Sequence, residues 1–417
     1  MQSVRIRSLL SLSIFSRIIC CASVALLVAA IAPVKAVAQI TNWPEFQFGN
    51  NRLGFNPYEV VLGPSTVGNL GLLWQSNQGH NLIILSPAVV DGLLYGATFG
   101  EGGSITSLFA INVGTGAIAR ERPLVGQFFL SSPTILNGVL YIGVGLYIPY
   151  YTGAMYALNA RTGALLWSNP NVNAIQAAPV VGDGAVYFGS IDGNIYALDA
   201  NSGNLLWVYA TNTGSGTGSA AALVNGILYQ GMGDFIFALN ASSGTLLWRY
   251  QMTYFTSAAP AVENGVVYTS SYDGGVYALN ANTGTLLWRV SSNSLYFSAL
   301  AVANGKVYAC GSQSALGLAA LDEQTGSTVW SQTAVQCKYA SPIVANGVVY
   351  VGTQDGHAAA YNASNGTLLW QEAVGTQIDA TPVVVNGMLY IATYDGNVLA
   401  FKPNGHHTAG TDYSSRK

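Results

Sequence analysis

Charged residues are scarce in this chain of 417 residues: only 8% are Asp, Glu, Lys or Arg, against the ~25% that is usual in soluble domains. Fifteen basic residues are too few for the wide basic face that nucleic-acid binding requires, so no nucleic-acid partner is expected. The shortage of Glu, Lys and Arg also excludes a coiled coil and a charged disordered chain.

Long apolar runs are missing after about residue 34. A protein with several membrane spans needs repeated stretches of roughly 20 apolar residues, so that class is excluded. Before that point, Arg5, Arg7 and Arg17 lead into the apolar stretch 18–34, and Ala36-Val37-Ala38 is a small-x-small cleavage site. This order predicts a signal peptide over residues 1–38 and an exported protein, periplasmic or extracellular. A retained membrane anchor is the alternative.

Cysteine is sparse as well, with four residues in the chain. Cys20 and Cys21 lie in the predicted signal peptide, which leaves Cys310 and Cys337 in the mature protein. An exported protein can oxidise such a pair, but the distance between them cannot be read from sequence, so a structural disulfide remains open. The motif Cys-x-x-Cys-His does not occur, which excludes a c-type haem.

Glycine and tyrosine are abundant, with 48 and 24 residues, and they recur in eight units of about 40 residues, a period typical of repeat folds. Each unit contains an Asx-Gly pair between two β-rich runs, the signature of a two-residue hairpin turn. The pairs begin at Asp91, Asn137, Asp183, Asn225, Asn264, Asn304, Asn346 and Asn386. A tyrosine follows each pair, at Tyr95, Tyr141, Tyr187, Tyr229, Tyr268, Tyr308, Tyr350 and Tyr390.

The turn pattern predicts four short strands in each unit, and no helical period competes with it. Units of this kind indicate an all-β fold, an eight-bladed β-propeller of four-stranded antiparallel blades. Unit eight lacks a final Leu-Leu-Trp, whereas a spare Leu72-Leu73-Trp74 precedes unit one. We therefore expect an N-terminal strand to close the ring and remove its open sheet edge. The predicted organisation is a lead-in over 39–71, the propeller over 72–405 and a flexible tail over 406–417.

The segment Ala197–Trp207 resembles the tryptophan-docking motif of the pyrroloquinoline-quinone (PQQ) propeller repeats, and four other units contain similar segments. The resemblance implies that indoles pack between neighbouring blades, at Trp74, Trp167, Trp207, Trp248, Trp288, Trp330 and Trp370. Arg120 takes the place of tryptophan in unit one, so that junction is expected to be looser. The family includes quinoprotein alcohol and sugar dehydrogenases. It also includes non-enzymatic propellers such as the lipoprotein of the outer-membrane β-barrel assembly machinery.

The resemblance also implies what a quinoprotein dehydrogenase would need: a carboxylate base, a Glu and an Asn for Ca²⁺, and an Arg or Lys beside the quinone. In the segments that enter the innermost strands, only Lys338 and Asp379 are charged. We therefore expect no cofactor and no metal, with PQQ and calcium as the alternative. Lys338 and Asp379 are predicted to hold equivalent places in units seven and eight. They would form an ion pair or, with Gln176, a site for a small polar ligand.

Aromatic residues are predicted on the face that carries the turns between second and third strands and the connections between blades. Enlarged turns at 99–107 and 146–153 belong to adjacent units, and exposed aromatics at a rim are typical of partner binding. The candidates are Tyr147, Tyr150, Tyr151, Tyr254, Tyr296 and Tyr339. The first hypothesis is a monomeric, non-catalytic binding or scaffold module for a protein or envelope polymer. The second is a quinoprotein dehydrogenase or a degenerate relative; in a third interpretation the aromatics only cover their own blades.

Overall fold

The computed structural model describes residues 42–79, 85–98, 106–124, 129–145, 152–214, 218–291, 296–312 and 316–405. The predicted signal peptide and tail lie outside these ranges, as do Tyr147, Tyr150 and Tyr151. Two short 3₁₀ helices, Phe46–Phe48 and Val67–Asn69, precede the repeats, and all other regular structure within the described ranges is β.

The described strands form eight sheets in chain order, which confirms the predicted eight-bladed propeller of antiparallel, four-stranded blades. Blades 1 and 2 contain β3 (Ala88–Val90), β4 (Leu93–Ala97), β5 (Thr106–Asn112) and β6 (Ile118–Leu124), then β8 (Thr134–Leu136), β9 (Val139–Gly145), β10 (Thr152–Asn159) and β11 (Leu165–Asn173). Blades 3 and 4 contain β12 (Val180–Gly182), β13 (Ala185–Gly189), β14 (Asn194–Asp199) and β15 (Leu205–Ala210), then β16 (Ala222–Val224), β17 (Ile227–Met232), β18 (Phe235–Asn240) and β19 (Leu246–Gln251).

Blades 5 and 6 contain β20 (Ala261–Glu263), β21 (Val266–Ser270), β22 (Gly275–Asn280) and β23 (Leu286–Ser291), then β25 (Ala301–Ala303), β26 (Lys306–Ser312), β27 (Leu318–Asp322) and β28 (Thr328–Gln332). Blades 7 and 8 contain β29 (Ile343–Ala345), β30 (Val348–Gly352), β31 (His357–Asn362) and β32 (Leu368–Ala373), then β33 (Val383–Val385), β34 (Met388–Ala392), β35 (Asn397–Pro403) and β2 (Leu70–Asn77). Three two-residue strands add to these sheets: β1 (Phe55–Asn56), β7 (Phe129–Leu130) and β24 (Tyr296–Phe297).

The ring closes through the N-terminal strand, as the sequence predicts. Strand β2 pairs antiparallel with β35 of the last blade, from Leu70 opposite Pro403 to Asn77 opposite Asn397. The strand begins at Leu70, two residues before the predicted start of the ring. Because β2 occupies the outer position of blade 8, this blade has the same four strands as the others.

The Asx-Gly pairs join the first and second strands of each blade. Every Asx residue of these pairs has a φ between 44° and 56°, and every following glycine a φ between 72° and 79°. Two consecutive positive φ values define the type I′ turn, whose twist matches that of the flanking strands. We call the side of the ring that carries these turns the hairpin face, and the opposite side, with the connections between blades, the loop face.

The repeated tryptophan and tyrosine donate hydrogen bonds to the same backbone carbonyl of the next blade. Trp167 Nε1 and Tyr141 Oη both donate to the carbonyl oxygen of Ala200, at 2.9 Å and 3.1 Å. The same double contact occurs at the carbonyls of Ala281 and Ala363. The carbonyl thus receives two donors that would otherwise be buried without a partner.

The docking glycines have positive φ and allow the indoles to lie on the backbone. A Cβ atom on Gly203 would lie 2.5 Å from a ring carbon of Trp167, closer than any real contact. Gly163 is different, because nothing lies within 4 Å of a Cβ built there. Its counterpart is Arg120, one of whose buried guanidinium nitrogens has no partner in the described chain. The gap between blades 1 and 2 holds a small cavity of about 40 Å³ beside both residues.

Candidate functional site

The innermost strands surround a cavity of about 430 Å³ that opens on the loop face. Short side chains lie two residues before these strands, and those lining the cavity include Ser86, Ser132, Ala178, Ala220 and Thr381. Small residues leave the centre of the ring open, whereas larger ones would fill it. The remaining walls are Gln176, Ala177, Gly218, Ser257, Tyr272 and Tyr339, and Phe46 reaches the cavity from the N-terminal segment.

Hydroxyl groups at the cavity wall connect successive blades. The amide of Ser341 donates to Thr381 Oγ1 at 3.1 Å, and the amide of Thr381 donates to Ser86 Oγ at 3.0 Å. The amide of Ser86 donates in turn to Ser132 Oγ at 3.0 Å. The Ser341 hydroxyl, buried at the start of this series, has no partner in the described chain. The hydroxyls of Thr381, Ser86 and Ser132 therefore connect blades 7, 8, 1 and 2, while that of Ser341 lies beside a second, smaller cavity.

Lys338 and Asp379 do not form the predicted face-to-face pair. The ion pairs among the described residues are Arg52–Glu45, Arg289–Asp273 and His357–Asp355. The residues before Lys338 and Asp379 make the same contact with the preceding blade: the amide of Cys337 donates to the carbonyl of Gly311 at 3.3 Å, and that of Ile378 to the carbonyl of Thr353 at 3.1 Å. Lys338 and Asp379 thus follow equivalent residues of successive blades, but their side chains do not pair.

Lys338 is a partly exposed cation at the cavity rim. Its Nζ lies 5.2 Å from the ring centroid of Tyr339, a distance at which the ammonium interacts with the ring face. Lys338 also lines a smaller cavity of about 140 Å³ beside Ser257, Ser298 and Ser341. One positive charge and several hydroxyls therefore lie within reach of the same small volume.

Asp379 is a buried carboxyl, 3% exposed. Its Oδ2 accepts a hydrogen bond from Gln377 Nε2 at 3.0 Å, and its Oδ1 has no partner in the described chain. Burial raises the pKa of Asp379, and the Lys338 charge and the Gln377 hydrogen bond oppose that effect. An incompletely bonded buried carboxylate is costly to keep ionised.

The substitution Asp379→Asn is expected to stabilise the protein at neutral pH by about 1 kcal/mol. The folded protein holds the Asp379 proton to a higher pH than the unfolded chain, so the stability penalty develops as the pH rises through the unfolded pKa of ~3.9 and is complete above the folded pKa. The gain in Tm over wild type should therefore shrink toward zero as the pH is lowered to about 4.

The control is Asp395→Asn, which alters an exposed carboxylate of the same blade. Thermal unfolding of both variants over this pH range checks the prediction. A D379N gain that persists unchanged in acid, or a loss of stability at neutral pH, would show that the carboxylate is not penalised in the fold.

Three aromatic rings pack against one another in a tilted arrangement at one edge of the cavity. The Tyr254 and Phe255 ring centroids lie 4.6 Å apart, and those of Phe255 and Tyr272 lie 4.3 Å apart. Tyr254 is 53% exposed and Phe255 38%. Ser271 Oγ donates to the carbonyl of Tyr254 at 2.9 Å, and Ser257 Oγ donates to Tyr272 Oη at 3.0 Å. We call these three residues the aromatic platform; Tyr339, 52% exposed, lies at the rim of the same cavity.

The structure brings together some of the predicted residues and adds others. Gln176 and Tyr339 line the main cavity, whereas Tyr254 is connected to its wall through Phe255 and Tyr272. Tyr296 forms the short strand β24, and its side chain lies outside the described part. Tyr272 and Phe46 were not predicted. Tyr272 precedes a repeated Asp-Gly turn, a position held by Ile191, Gln354 and Tyr394 in the other units, so the sequence carries only a weak signal for it. Phe46 lies in a segment with no repeat pattern.

Cys310 and Cys337 form a disulfide, with Cα atoms 5.6 Å apart. Both residues are fully buried. The bond joins strand β26 of blade 6 to the connection that carries Lys338 and Tyr339, and so attaches the cavity rim to the blade.

The described walls of the cavity do not supply the groups that a calcium–quinone centre needs. They contain hydroxyls, one amide and aromatic rings but no carboxylate. No group of three or more His, Cys, Asp or Glu residues that could hold a metal occurs within the described ranges. The donor set of the described residues therefore does not fit PQQ with calcium.

The family model described as "Outer membrane protein assembly factor BamB" matches residues 71–254 and 233–408. The dehydrogenase subunit of a quinone alcohol dehydrogenase from Komagataeibacter europaeus is 26% identical over 160 residues, 36% of this chain. The match spans only 20% of that relative's length, so it does not show that this chain has the relative's activity.

Solved structures show the same fold. The quinohemoprotein alcohol dehydrogenase from Comamonas testosteroni has a TM-score of 0.73 and 18% identity, over 90% of this chain and 82% of that one. BamB from Moraxella catarrhalis has a TM-score of 0.64 and 23% identity, over 81% and 99% of the two chains. In the described part, no helix has the length and apolar character that a bilayer crossing demands. With the family model covering nearly all of the ring, the chain belongs to the PQQ-like propeller family described as outer membrane protein assembly factor BamB.

Proposed function

We propose that this protein is an exported, non-catalytic binding module that recognises a protein or an envelope polymer through its loop face. The observation that carries the proposal is the aromatic platform of Tyr254, Phe255 and Tyr272 at the cavity edge. Exposed aromatic side chains in a fixed arrangement supply large contact areas at a small entropic cost. Export is inferred from the N-terminal pattern of residues 1–38.

The platform is preorganised for binding. The amide of Tyr272 donates to the carbonyl of Phe255 at 3.0 Å, which joins the turn of blade 5 to the connection from blade 4. Together with the hydrogen bonds of Ser271 and Ser257, this contact fixes the platform before a partner arrives. A site that is already ordered loses less entropy on binding.

The chemistry of the cavity favours recognition over catalysis. Its polar groups are hydroxyls and the Gln176 amide, which orient a ligand by hydrogen bonds but do not accept protons at neutral pH. Lys338 provides one positive charge at the rim. A segment of a neutral or weakly acidic polymer, placed across the platform with one group in the cavity, fits this arrangement.

A quinoprotein dehydrogenase is the second candidate function, and Asp379 is the observation that favours it. A buried carboxylate with a raised pKa is a property of general bases, and solved alcohol dehydrogenases share the fold. The missing calcium ligands weigh against it. For this reason we expect the protein not to retain PQQ.

Truncation of the platform tests the binding function. In the variant Tyr254→Ala/Phe255→Ala, two exposed rings are lost, and affinity for the partner should fall by at least roughly 30-fold, as at aromatic hot spots. A photo-crosslinking amino acid placed at Tyr339 in the wild-type background and in this variant gives the measurement in cell envelopes. A defined adduct is expected in wild type and a much weaker one in the variant.

The control position is Tyr58, a tyrosine that is 58% exposed in the lead-in on the hairpin face. The same crosslinker there should give no such adduct. Equal adducts from both faces, or an adduct that survives loss of the platform, would contradict binding at the loop face. Addition of PQQ and Ca²⁺ to the purified protein tests the alternative: stoichiometric quinone absorbance with dye reduction by alcohols or aldoses would favour the dehydrogenase and overturn the proposal.

A further inference from the structure

The inner strands of the propeller leave one row of backbone groups unpaired by the blades. Each inner strand is three residues long, and its first and last residues exchange hydrogen bonds with the second strand across the two-residue turn. The N–H and C=O groups of the middle residue point the other way, into the channel. Unpaired groups of this kind, buried away from water, destabilise a fold.

Residues 43–56, which we call the strap, supply partners for this row. Six middle-residue amides donate to strap carbonyls at 2.7–2.9 Å. The donor and acceptor residues are Val89 and Trp43, Ile135 and Pro44, Leu223 and Asn50, Val262 and Asn51, Val302 and Leu53, and Val344 and Gly54. The strap therefore lies in the channel near its hairpin side and contacts the inner strands of blades 1, 2, 4, 5, 6 and 7 in turn.

Blades 3 and 8 are contacted through side chains of the strap. Asn50 Nδ2 donates to the carbonyl of Val181 at 3.2 Å, and Asn56 Nδ2 donates to the carbonyl of Val384 at 2.8 Å. These carbonyls belong to the same middle position of their strands. All eight blades are thus connected to one short segment, at equivalent residues.

A buried ion pair stabilises the position of the strap in the channel. Arg52 contacts Glu45 at 2.8 Å, with both side chains almost entirely removed from solvent. The Arg52 guanidinium also donates to the carbonyls of Phe46, Pro179 and Ala221 at 2.6–2.9 Å. A guanidinium with this many acceptors stabilises a bend of the strap against blades 3 and 4.

Phe46 projects from the strap toward the loop face. It packs against a ring of alanines, Ala178, Ala220, Ala259 and Ala299, and lines both cavities from below. The phenyl ring is therefore the floor of the cavity, and the small side chains around it make room for it.

We propose that the strap is an internal plug that turns the central channel of the propeller into a blind pocket, with Phe46 as its floor. Ligands then enter and leave only through the loop face, and the ring is fastened twice, by β2 at its circumference and by the strap at its axis. This inference goes beyond the proposed function, since it concerns the channel of the protein whatever the pocket binds.

Amide hydrogen exchange of the wild-type protein gives the first test. The six amides that donate to the strap should exchange at least tenfold more slowly than the amides of Val181 and Val384. The latter two occupy the same position in their blades and receive no strap carbonyl in the described structure. This comparison needs no variant, so it remains valid if a variant fails to fold.

Two variants release the strap by different routes. Glu45→Gln/Arg52→Met removes the ion pair without leaving a lone buried charge. Gly54→Val replaces a glycine with a φ of +58°, where a Cβ would lie 3.1 Å from Ala301 Cβ. Both should speed exchange at the six amides at least tenfold and leave β15, at the outer edge of blade 3, unchanged.

The matched control is Asp273→Asn/Arg289→Met, which removes a partly exposed carboxylate–guanidinium pair between the turn after β21 and the outer strand β23 of blade 5. It should not alter exchange at the six amides. Equal exchange of the six amides and the two reference amides in wild type would overturn the proposal, as would unchanged exchange in folded strap variants.

Discussion

Replacement of Trp74 by alanine is expected to lower the free energy of unfolding by about 3–5 kcal/mol, the usual cost of truncating a buried aromatic side chain. Trp74 is 9% exposed and lies at the seam between blades 8 and 1. Its Nε1 donates to the carbonyl of Val113 at 2.8 Å. Its ring lies on Gly116, where a Cβ would lie 2.7 Å from the indole. The variant loses a hydrogen bond and leaves a cavity at the point where the ring closes.

The ring closes inside blade 8, where β2 from the N-terminal side pairs with β35 from the end of the repeat array. The chain joins β2 to blade 1, just as it joins the other successive blades, but no turn joins β2 to β35. Trp74 packs on Tyr390 of β34, with ring centroids 6.0 Å apart, so its side chain helps to hold β2 in blade 8. We expect Trp74→Ala to reduce cooperativity as well as stability, since release of β2 exposes the edge of β35.

Trp207→Ala is the matched control, because Trp207 makes the same contact with the carbonyl of Ala241 at 2.9 Å inside the array. Urea unfolding followed by fluorescence and by circular dichroism gives the free energy and the cooperativity of each variant. Trp74→Ala should lose more stability than Trp207→Ala, with transitions that differ between the two probes. Identical curves for the two variants would show that Trp74 has no special part in holding the closing strand.

Most of the fold could be predicted from the sequence because each blade repeats the same local chemistry. The Asx-Gly pairs require two positive φ values, and only a tight hairpin satisfies that requirement between β-rich runs. Leu72-Leu73-Trp74 was recognisable as the missing part of the last repeat, which identified the closing strand. Arg120 indicated the looser junction, and the open space beside Gly163 agrees with it.

The strap could not be predicted because it forms no repeating pattern. Gln47, Phe48 and Arg52 all have positive φ values between 57° and 73°, which non-glycine residues rarely adopt and which no motif in the segment indicates. The contacts of the strap are made mainly by backbone groups, so they leave little trace in the choice of side chains. From the sequence, residues 39–71 could be described only as a lead-in without assigned secondary structure.

The candidate site was predictable in its location but not in its contacts. The loop-face position of Tyr254 and Tyr339 follows from the order of strands in a blade. Whether Lys338 meets Asp379 depends on the directions of two side chains in irregular connections, which no period fixes. The platform likewise depends on Tyr272, a residue in a turn that belongs to the next blade along the chain.

Removal of the disulfide by Cys310→Ala/Cys337→Ala is expected to cost roughly 3–4 kcal/mol, the loop-entropy estimate for a sequence separation of 27 residues. For a domain of this size, the corresponding decrease in Tm is roughly 4–6 °C. The two sulfur atoms are buried in the cluster that includes Tyr308 and Trp330. The loss of packing there adds to the entropic effect.

The same substitution should also change the site, because the bond anchors the segment that carries Lys338 and Tyr339. The amide of Cys337 donates to the carbonyl of Gly311 at 3.3 Å, a long hydrogen bond that we expect to open first when the covalent anchor is removed. Hydrogen exchange over residues 333–341 should therefore accelerate in the variant, while exchange in blades 2 and 3, on the far side of the ring, stays unchanged.

Reduction of the wild-type protein provides the control, since a fully buried bond is protected from a soluble thiol until the protein unfolds. Below the unfolding transition, reductant should leave the exchange of residues 333–341 as it is, whereas the thermal transition in reductant should shift down to that of the variant. An unaltered Tm in the variant would mean that blade packing alone holds the rim. A rim that stays protected while Tm falls would separate the two roles, and the disulfide would then stabilise the ring without ordering the site.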